Sequence, residues 1–335
     1  MSATATNRSP LPTVSVVIPV YQNAGSLRPT SDALRALAAR NAGAWRLEVI
    51  FVDDGSTDGS ARELAELAAE RDEVRVVSLS RNFGQVPALV AGLERASGVA
   101  TVVLSADLQE PVALVERMVE EWSQGSEIVV CYRVARSDSL VATGGSRLFY
   151  SLIALSHPQM PRGGFDFFLL GQRARRAFLA LPERNRFLQG DILWLGFAVK
   201  MLPYERQPRP VGRSQWTLGK KTKYFIDGLL KTAYWPIRAM SLVGLTVALG
   251  GFLWAAIIVV RKLLGGIPAV GWAPIMIAIL VVGGVIMTML GVIGEYVWRI
   301  FDEVRGRPLY LVARDSAEDG SATPAASRHD VAPRD

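Results

Sequence analysis

The sequence predicts an α/β domain with a mostly parallel sheet, followed by membrane-surface helices and a two-helix transmembrane hairpin. The N-terminal part alternates short β-branched runs with helical patterns, and the C-terminal third contains two long apolar segments without charge. Continuously apolar strands separated by helices are typical of a parallel sheet that is covered on both faces. The length of 335 residues is sufficient for such a domain plus a membrane appendage.

Strands and helices alternate regularly in the N-terminal part. The predicted strands are Val14–Val20, Leu47–Val52, Val74–Ser80, Val99–Ser105 and Glu127–Tyr132, and the predicted helices are Leu27–Ala42, Gly59–Arg71, Phe83–Ala96 and Pro111–Ser123. The periodicity weakens from residue 133 onward, and the domain is placed at 14–215. The polar segments 1–13 and 313–335 are predicted to be disordered.

Composition excludes several classes of protein. Cys131 is the single cysteine, which rules out an internal disulfide and makes a cysteine-based zinc site implausible. The two histidines, His157 and His329, come without the G-x-S-x-G motif of a serine hydrolase. The net charge of +6 is too small to indicate a nucleic-acid partner.

Two apolar segments predict membrane spans. Met240–Val260 and Ala273–Gly294 carry no charged residue. At about 1.5 Å per residue, each is long enough to cross a hydrocarbon core of roughly 30 Å. The spans are placed at about 238–260 and 273–295, within 237–298. A buried helix of a soluble protein is the alternative, but such a helix rarely lacks a polar face over this length.

The charges around these segments predict their orientation. Basic residues lie on both outer sides, at Lys220, Lys221, Lys223, Lys231, Arg238, Arg299, Arg305 and Arg307, whereas the linker carries only Arg261 and Lys262. The positive-inside rule therefore places the N-terminal domain in the cytoplasm. Residues 216–236 have apolar and basic residues at helical spacing. A helix packed on the catalytic domain is the alternative, but because the segment leads straight into a span it predicts an amphipathic membrane-surface helix. Residues 299–312 are predicted to form a cytoplasmic juxtamembrane segment, and Met1–Leu11 lacks the apolar core of a signal peptide.

Polar residues follow the first two predicted strands. Pro19 and Tyr21 end the first strand, and Asp53, Asp54 and Asp58 follow the second. Ligands of open α/β sheets bind beyond the carboxyl ends of strands, so two of these carboxylates are candidates for a base or a ribose. One of the acids is equally well explained as a helix cap. The G-x-G-x-x-G pattern of a dinucleotide oxidoreductase is missing.

The fourth predicted strand ends in a second polar cluster. Ser105, Asp107 and Gln109 stand at alternate positions there. A carboxylate and an amide at a strand end suit an oxygen-coordinated Mg²⁺ or Mn²⁺ that is completed by substrate phosphates and water. The alternative is an N-terminal cap for the helix near Pro111.

Arginines in the loops suit an anionic ligand. They are Arg81, Arg133, Arg136, Arg209 and Arg213. Guanidinium groups bind phosphate bidentately, although any single one could be ordinary surface charge. The segment 209–216 combines Arg, Gly, Ser and Trp just before the predicted surface helix, which favours a loop that closes over an anion.

The ordered motifs resemble the family 2 inverting glycosyltransferases that act on polyisoprenyl phosphates, such as dolichyl-phosphate mannose and glucose synthases and their bacterial undecaprenyl-phosphate relatives. The matching segments run in order from about residue 14 to 312, and they are VSVVIPVY, VIFVDDGSTDGS, VVSLSRNFGQ, SADLQEP, FDFFLL, ERNRFLQGDILWLGF, GRSQWTLGKKTKYFIDG and GEYVWRIFDEVRGRPLYLV. The resemblance implies a GT-A nucleotide-sugar domain, two C-terminal spans and transfer of one sugar from a UDP- or GDP-hexose to a lipid phosphate at the cytoplasmic membrane.

The resemblance also implies residue roles. Asp107 and Asp166 would be the catalytic carboxylates, with Asp107 and Gln109 holding the divalent metal and Asp166 lying near the acceptor. The expected nucleotide-sugar contacts are Pro19, Tyr21, Asp53, Asp54, Arg81, Ser105 and Asp107, and the expected acceptor-phosphate contacts are Arg133, Arg209 and Ser214. The lipid bilayer is an expected partner, and a homo-oligomer is left open.

Three positions depart from the family pattern. Ser105 replaces the first Asp of the usual D-x-D motif, Phe168 replaces an Arg, and Gln22-Asn23 replaces an Asn-Glu pair. These departures suggest altered substrate contacts, and they leave a membrane-anchored nucleotide-sugar-binding scaffold without turnover as the alternative function. A processive polysaccharide synthase is disfavoured, because the Q-x-x-R-W motif and further spans are missing.

Overall fold

The computed structural model describes residues 11–134, 159–161, 164–184, 186–206, 235–264 and 273–319. These residues divide into two compact units, one built around a sheet and one containing two long helices. The predicted acceptor contacts Arg209 and Ser214, nearly all of the predicted surface helix and part of the interhelical linker lie outside the described residues.

The sheet unit contains strands and helices in alternation along its first half. The strands are β1 (Thr13–Val20), β2 (Arg46–Asp53), β3 (Val74–Leu79), β4 (Ala100–Val103), β5 (Ile128–Arg133), β6 (Phe167–Gly171), β7 (Val199–Tyr204) and β8 (Val312–Asp315). The helices of this unit are α1 (Leu27–Arg40), α2 (Ser60–Glu70), α3 (Gln85–Arg95), α4 (Leu114–Ser123), α5 (Gln172–Leu179) and α6 (Leu188–Trp194). All five predicted strands and all four predicted helices are confirmed, with ends shifted by a few residues.

These strands form one mixed sheet in the order β7-β5-β6-β4-β1-β2-β3-β8. The pairs β1–β2, β1–β4, β2–β3 and β5–β7 are parallel, whereas β6 runs antiparallel to both β4 and β5. The strands β1, β2, β3, β4, β5 and β7 therefore all end at one edge of the sheet. Because β6 is reversed, it begins at that same edge.

Helices cover both faces of the sheet, which explains its apolar strands. Val16 and Val17, neighbours in β1, point to opposite faces and are both fully buried. Helix α3 packs so closely that a Cβ on Gly92 would lie 2.3 Å from Cγ1 of Val17. Glycine is therefore required where α3 crosses β1.

Strand β6 was not predicted as a strand, and it explains one departure from the family pattern. Its segment follows residues with weak periodicity, so sequence alone gives little sign of where it pairs. In the sheet, Phe168 pairs with Val103 of β4 and Val130 of β5, and its side chain is fully buried. Phe168 also meets the ring of Phe165 edge to face. Phe168 is a core residue, so it makes no phosphate contact.

The segment after the second long helix corrects the predicted disordered tail at 313–335. Strand β8 (Val312–Asp315) pairs antiparallel with β3, and a short helix, α9 (Ser316–Asp319), follows it. Asp315 is buried and accepts hydrogen bonds from Arg75 at 2.8 and 2.9 Å and from Arg95 at 2.8 Å. The polar sequence suggested disorder because its ordering depends on partners more than 200 positions away.

The second unit contains two long helices, α7 (Trp235–Leu263) and α8 (Ala273–Val304). They contact each other near Gly244, where an added Cβ would lie 3.3 Å from Cε of Met289. Within the described residues, Val281–Val304 is long and apolar enough to cross a membrane, and a shorter apolar helix covers Leu242–Ile258. The predicted two-helix hairpin is therefore not confirmed by length and hydropathy.

Candidate functional site

The candidate site is built from the loops at the edge where the parallel strands end. The predicted polar residues after β1, β2 and β4 lie at this edge, as does Arg133 at the end of β5. Asp166 joins them because it directly precedes the reversed strand β6. Strand direction alone thus brings together residues that are far apart in the sequence, at the place where ligands bind in open α/β sheets.

The loops after β1 and β2 support each other through polar side chains. Asp53 Oδ1 accepts a hydrogen bond from the backbone N–H of Ser56 at 3.0 Å. Asp58 accepts from the backbone N–H of Ala24 at 3.1 Å and from that of Ser60 at 3.0 Å. Asp58 is therefore the structural acid of the three, as the capping alternative suggested. Asp53 is almost completely buried at the end of β2.

Asp54 holds the loop that follows β3. Its two carboxylate oxygens accept the backbone N–H groups of Phe83 at 2.7 Å and Gly84 at 2.9 Å. Burial nevertheless raises the pKa of Asp54 to about 6. The neighbouring Gly55 has φ +68°, and a Cβ there would lie 2.6 Å from the carbonyl carbon of Arg81. This geometry gives Asp54 a role in shaping the loop, and a nucleotide contact by its carboxylate stays a prediction.

The loop after β4 carries a compact polar cluster. Ser105 Oγ lies 2.8 Å from Asp107 Oδ1 and is also hydrogen-bonded to the Glu110 carboxylate. Leu108 adopts the left-handed conformation (φ 57°), and the backbone N–H of Gln109 donates to Asp107 Oδ1 at 3.2 Å. A left-handed non-glycine residue is costly and is typical of functional loops.

Glu110 is the buried second carboxylate of this cluster. It is 2% exposed, and the Ser105 hydroxyl joins it to Asp107. Burial and the nearby Asp107 charge raise the pKa of Glu110, while the Ser105 hydrogen bond and the positive charges of Arg206 and Arg133 oppose that rise.

The oxygen ligands of this loop fit a divalent cation. Mg²⁺ is commonly held by one or two carboxylates together with substrate phosphates and waters. Asp107 and the half-buried Gln109 supply a carboxylate and an amide at one strand end. Among the described residues, no group of three or more His, Cys, Asp or Glu side chains is placed to hold a metal ion.

Two arginines at neighbouring strand ends face the carboxylates. Arg206, just after β7, lies 3.9 Å from Asp107 Oδ2, and Arg133, at the end of β5, lies 3.5 Å from Asp166 Oδ2. Arg133 also donates from Nε to the Tyr204 hydroxyl at 3.4 Å. Both arginine side chains are more than a third exposed, so they can still reach a ligand. This edge of the sheet therefore carries two ion pairs, Asp107 with Arg206 and Asp166 with Arg133.

Asp166 has a second neighbour in the buried Gln189 of α6. The Gln189 Nε2 group donates to the backbone oxygen of Phe165 at 2.8 Å and lies 3.4 Å from Asp166 Oδ1. Arg133 and Gln189 together thus fix the carboxylate of Asp166, which is itself about half exposed. This arrangement leaves Asp166 accessible to a ligand while holding its direction.

The structure brings most of the predicted site residues to one edge. Pro19, Tyr21, Asp53, Asp54, Arg81, Ser105, Asp107, Gln109, Arg133 and Asp166 all lie in or beside the strand ends and loops described above. The exposed Arg81 stacks its guanidinium 4.1 Å from the centre of the Phe83 ring. The sequence analysis missed Glu110, Gln189, Tyr204 and Arg206. Of these, Glu110 and Gln189 gave a signal. Glu110 directly follows the predicted metal ligand Gln109, and Gln189 lies in the family-like segment ERNRFLQGDILWLGF.

Comparison with known proteins places this chain in one family. Residues 15–177 match Glycosyl transferase family 2. An uncharacterized glycosyltransferase from Synechocystis sp. is 33% identical over 302 residues, covering 90% of this chain and 94% of that protein. The SfII prophage-derived bactoprenol glucosyl transferase of Shigella flexneri is 31% identical over 303 residues, covering 90% and 97%.

A solved structure shows a more distant likeness. Glucosyl-3-phosphoglycerate synthase from Mycobacterium tuberculosis superposes with a TM-score of 0.49 at 21% identity, covering 66% of this chain and 78% of the synthase. The sequence relatives, by contrast, match almost from end to end. The chain therefore belongs to glycosyltransferase family 2, and it is a glycosyltransferase.

Proposed function

We propose that this glycosyltransferase moves one sugar from a nucleotide-sugar to the phosphate of a polyisoprenyl phosphate at the cytoplasmic face of a membrane. Two ion pairs at the strand ends, Asp107 with Arg206 and Asp166 with Arg133, carry the proposal. The first supplies a carboxylate for the cation of a nucleotide diphosphate, and the second supplies an arginine for the acceptor phosphate. The end-to-end similarity to a bactoprenol glucosyl transferase favours glucose and an undecaprenyl acceptor.

The reaction is an in-line displacement at the anomeric carbon with inversion of configuration. A phosphate oxygen of the lipid attacks the anomeric carbon, and the bond to the nucleotide diphosphate breaks with both electrons leaving on the diphosphate. The attacking phosphate is already ionised at neutral pH, so little proton transfer is needed. The main barrier is electrostatic, because an anion approaches an anion while negative charge grows on the leaving group.

The residues of the site address that barrier from two sides. Asp107 and Gln109 would hold Mg²⁺ or Mn²⁺, which supplies Lewis-acid stabilisation to the diphosphate. Arg133 would bind the acceptor phosphate, and Asp166 would orient Arg133 through their 3.5 Å ion pair. In this arrangement Asp166 positions the acceptor side and does not need to act as a base.

The long helices give the membrane part of the proposal. At about 1.5 Å per residue, α7 and α8 would extend roughly 43 and 48 Å, more than the roughly 30 Å of a hydrocarbon core. We propose that both cross the membrane as a hairpin, with the acceptor's isoprenoid tail remaining in the bilayer. The basic residues outside the hairpin support a cytoplasmic catalytic domain.

A donor screen with the full-length protein in detergent tests this function. The reaction contains undecaprenyl phosphate and Mn²⁺ or Mg²⁺, and it compares UDP-glucose, UDP-galactose, UDP-N-acetylglucosamine and GDP-mannose. One donor should give a glycolipid, and EDTA should abolish its formation. Asp107→Asn should lose about 10²–10³-fold in kcat, whereas the exposed control Arg62→Met should behave as wild type.

The same screen distinguishes the proposed transferase from the alternative, a nucleotide-sugar-binding scaffold without turnover. A scaffold would bind nucleotide-sugar without forming a glycolipid with any donor. Ser105 in place of the first motif Asp is what makes the scaffold conceivable, because it leaves fewer carboxylates for a metal. The buried Glu110, joined to Asp107 through Ser105, supplies a second carboxylate to the same cluster and favours turnover.

A further inference from the structure

The loop after β3, residues 80–84, contains the predicted nucleotide contact Arg81. It follows a strand whose two neighbours in the sheet are β2 and β8. On the β2 side, the Asp54 carboxylate accepts the backbone N–H groups of Phe83 at 2.7 Å and Gly84 at 2.9 Å. The proposed reaction assigns no role to the chain on the β8 side.

The chain on the β8 side consists of residues 310–315, here called the strap, which follow α8 after a short connection. The strap pairs antiparallel with β3. The Leu311 backbone oxygen also accepts the N–H of Ser80 at 2.9 Å. The backbone pairing therefore continues beyond the end of β3, to the residue directly before Arg81.

The register of this pairing shifts just before the loop. Ser78 pairs with Arg314, whereas Leu79 pairs with Val312, so that Ala313 is passed over. An extra residue of this kind bends and twists the strand that carries it, and such bulges are common beside active sites. The pairing is thus irregular at the point where β3 leads into the nucleotide loop.

Side chains bind the strap to both elements that flank the loop. The Tyr310 hydroxyl accepts a hydrogen bond from Arg95 of α3 at 3.1 Å and is hydrogen-bonded to the Glu94 carboxylate. Arg95 also donates to Asp315 at 2.8 Å, and Asp315 accepts from Arg75 of β3 at 2.9 Å. The strap therefore joins β3, which precedes the loop, to α3, which follows it.

We propose that the strap positions the nucleotide loop, with Tyr310 as a positioning residue, so that donor binding depends on the chain that follows α8. In this role Tyr310 acts through β3 and α3, which set where residues 80–84 lie. The inference rests on the proposed function, because it requires a nucleotide-sugar at this loop. It links the segment after a proposed membrane helix to the affinity for the soluble donor.

Loop preorganisation is the physical reason for the link. A strap that is bound to β3 and α3 keeps the loop in one conformation before the nucleotide arrives. When the strap detaches, the loop samples other conformations, and the apparent affinity for the nucleotide falls with the fraction that stays competent to bind. Because linkage is reciprocal, a bound nucleotide should also stabilise the attached strap.

Hydrogen exchange of the full-length protein in detergent tests the hold on the loop without any nucleotide. Tyr310→Phe removes one hydroxyl and should speed the exchange of amides in residues 80–84 and in the strap by about fivefold, the size expected for one lost hydrogen bond. Exchange in α5, at the far end of β6 from Asp166, should not change. Tyr296→Phe is the matched control, because within the described residues the Tyr296 hydroxyl has no hydrogen-bond partner.

Nucleotide binding tests the link itself. Saturating UDP with Mn²⁺ should slow exchange in the wild-type strap by about tenfold or more, although no strap residue is a predicted nucleotide contact. The double variant Tyr310→Phe/Asp315→Asn, which loses both side-chain attachments, should raise the Kd for UDP and the KM for the nucleotide-sugar by about tenfold. Its KM for the lipid acceptor should stay at the wild-type value.

The outcomes separate this proposal from the proposed function. A wild-type protein that neither binds UDP nor forms glycolipid overturns the proposed function, whereas exchange without nucleotide still reports whether the strap holds the loop. Wild-type exchange of residues 80–84 in folded Tyr310→Phe overturns the role of the strap. Equally faster exchange in α5, or an equal rise in the KM for the acceptor, also overturns it, because either result indicates a general loss of stability.

Discussion

Replacing Arg206 with Met should increase the affinity of the nucleotide-free protein for Mn²⁺. The Arg206 guanidinium lies 3.9 Å from Asp107 Oδ2, the carboxylate proposed to hold the metal. A guanidinium and a divalent cation compete for the same negative charge, so removing the guanidinium favours the cation. When a nucleotide-sugar is bound, the same arginine is placed to turn to the diphosphate, and its loss should therefore slow the reaction.

The distance sets the size of the effect. Two unit charges about 4 Å apart attract by about 1 kcal/mol in water and about 4 kcal/mol at an effective dielectric constant of 20. The Arg206 side chain is 36% exposed, so solvent screening brings the interaction to about 1–2 kcal/mol. The expected gain in Mn²⁺ affinity is about 5- to 30-fold, and the expected loss in kcat is about 10²-fold.

Free Mn²⁺ measured by electron paramagnetic resonance at constant ionic strength gives the affinity directly. Arg62→Met is the control, because that arginine is 88% exposed and is paired with Glu66 on α2. The gain should shrink as salt is added, since screening weakens a half-exposed pair. Unchanged or weaker Mn²⁺ binding by a folded Arg206→Met protein would refute the competition between Arg206 and the metal.

Three further predictions concern the loops and the last strand. Gly55→Ala should weaken nucleotide binding by about tenfold or more, because the φ of +68° and the contact of a Cβ with the Arg81 carbonyl carbon at 2.6 Å both force the loop to move. Calorimetry with UDP measures this affinity, and Gly43→Ala, whose Cβ would have no atom within 4 Å, should bind UDP normally. Asp315→Asn should lower the free energy of unfolding by about 2–4 kcal/mol, or the Tm by about 5–15 °C, because Arg75 and Arg95 lose the carboxylate that they share. An unchanged thermal transition would show that this pairing does not stabilise the domain. Burial raises the pKa of Asp54 from 3.8 to about 6, so between these values the folded protein keeps a proton on Asp54 that the unfolded chain has lost, and the Tm should fall as pH rises from about 4 to 6. Asp54→Asn should flatten this dependence of Tm on pH, and an equally steep slope in the variant would show that Asp54 does not cause it.

Hydrophobic periodicity made the first half of the fold predictable, whereas it did not predict the later strands. The strands from β1 to β5 are buried on both faces and are separated by amphipathic helices, so their patterns are local and strong. Strand β6 is short and antiparallel, and β8 has exposed positions and a polar sequence. Their pairing depends on partners that are distant in the chain, which local patterns do not report.

Some residues of the candidate site could likewise be predicted from the sequence, and others could not. Asp53, Asp107 and Gln109 could be found from sequence because they directly follow apolar strands. Arg206 could not, because it stands in no distinctive local pattern, and Gln189 was not assigned to the site although it lies in the family-like segment ERNRFLQGDILWLGF. They become part of the site only because β7 ends beside β5 and because α6 lies behind Asp166.

The sequence by itself determined where the strands of the first half lie and which carboxylates follow them. Hydrophobic periodicity and the polarity of strand ends are local properties of the chain. Tertiary structure alone decided which charges meet. The reversed direction of β6 brings Asp166 to the edge that carries Asp107 and Arg133, and it turns Phe168 into the core. Long-range pairing likewise orders the polar segment after α8 as strand β8, because pairing with β3 brings Asp315 into contact with Arg75 and Arg95.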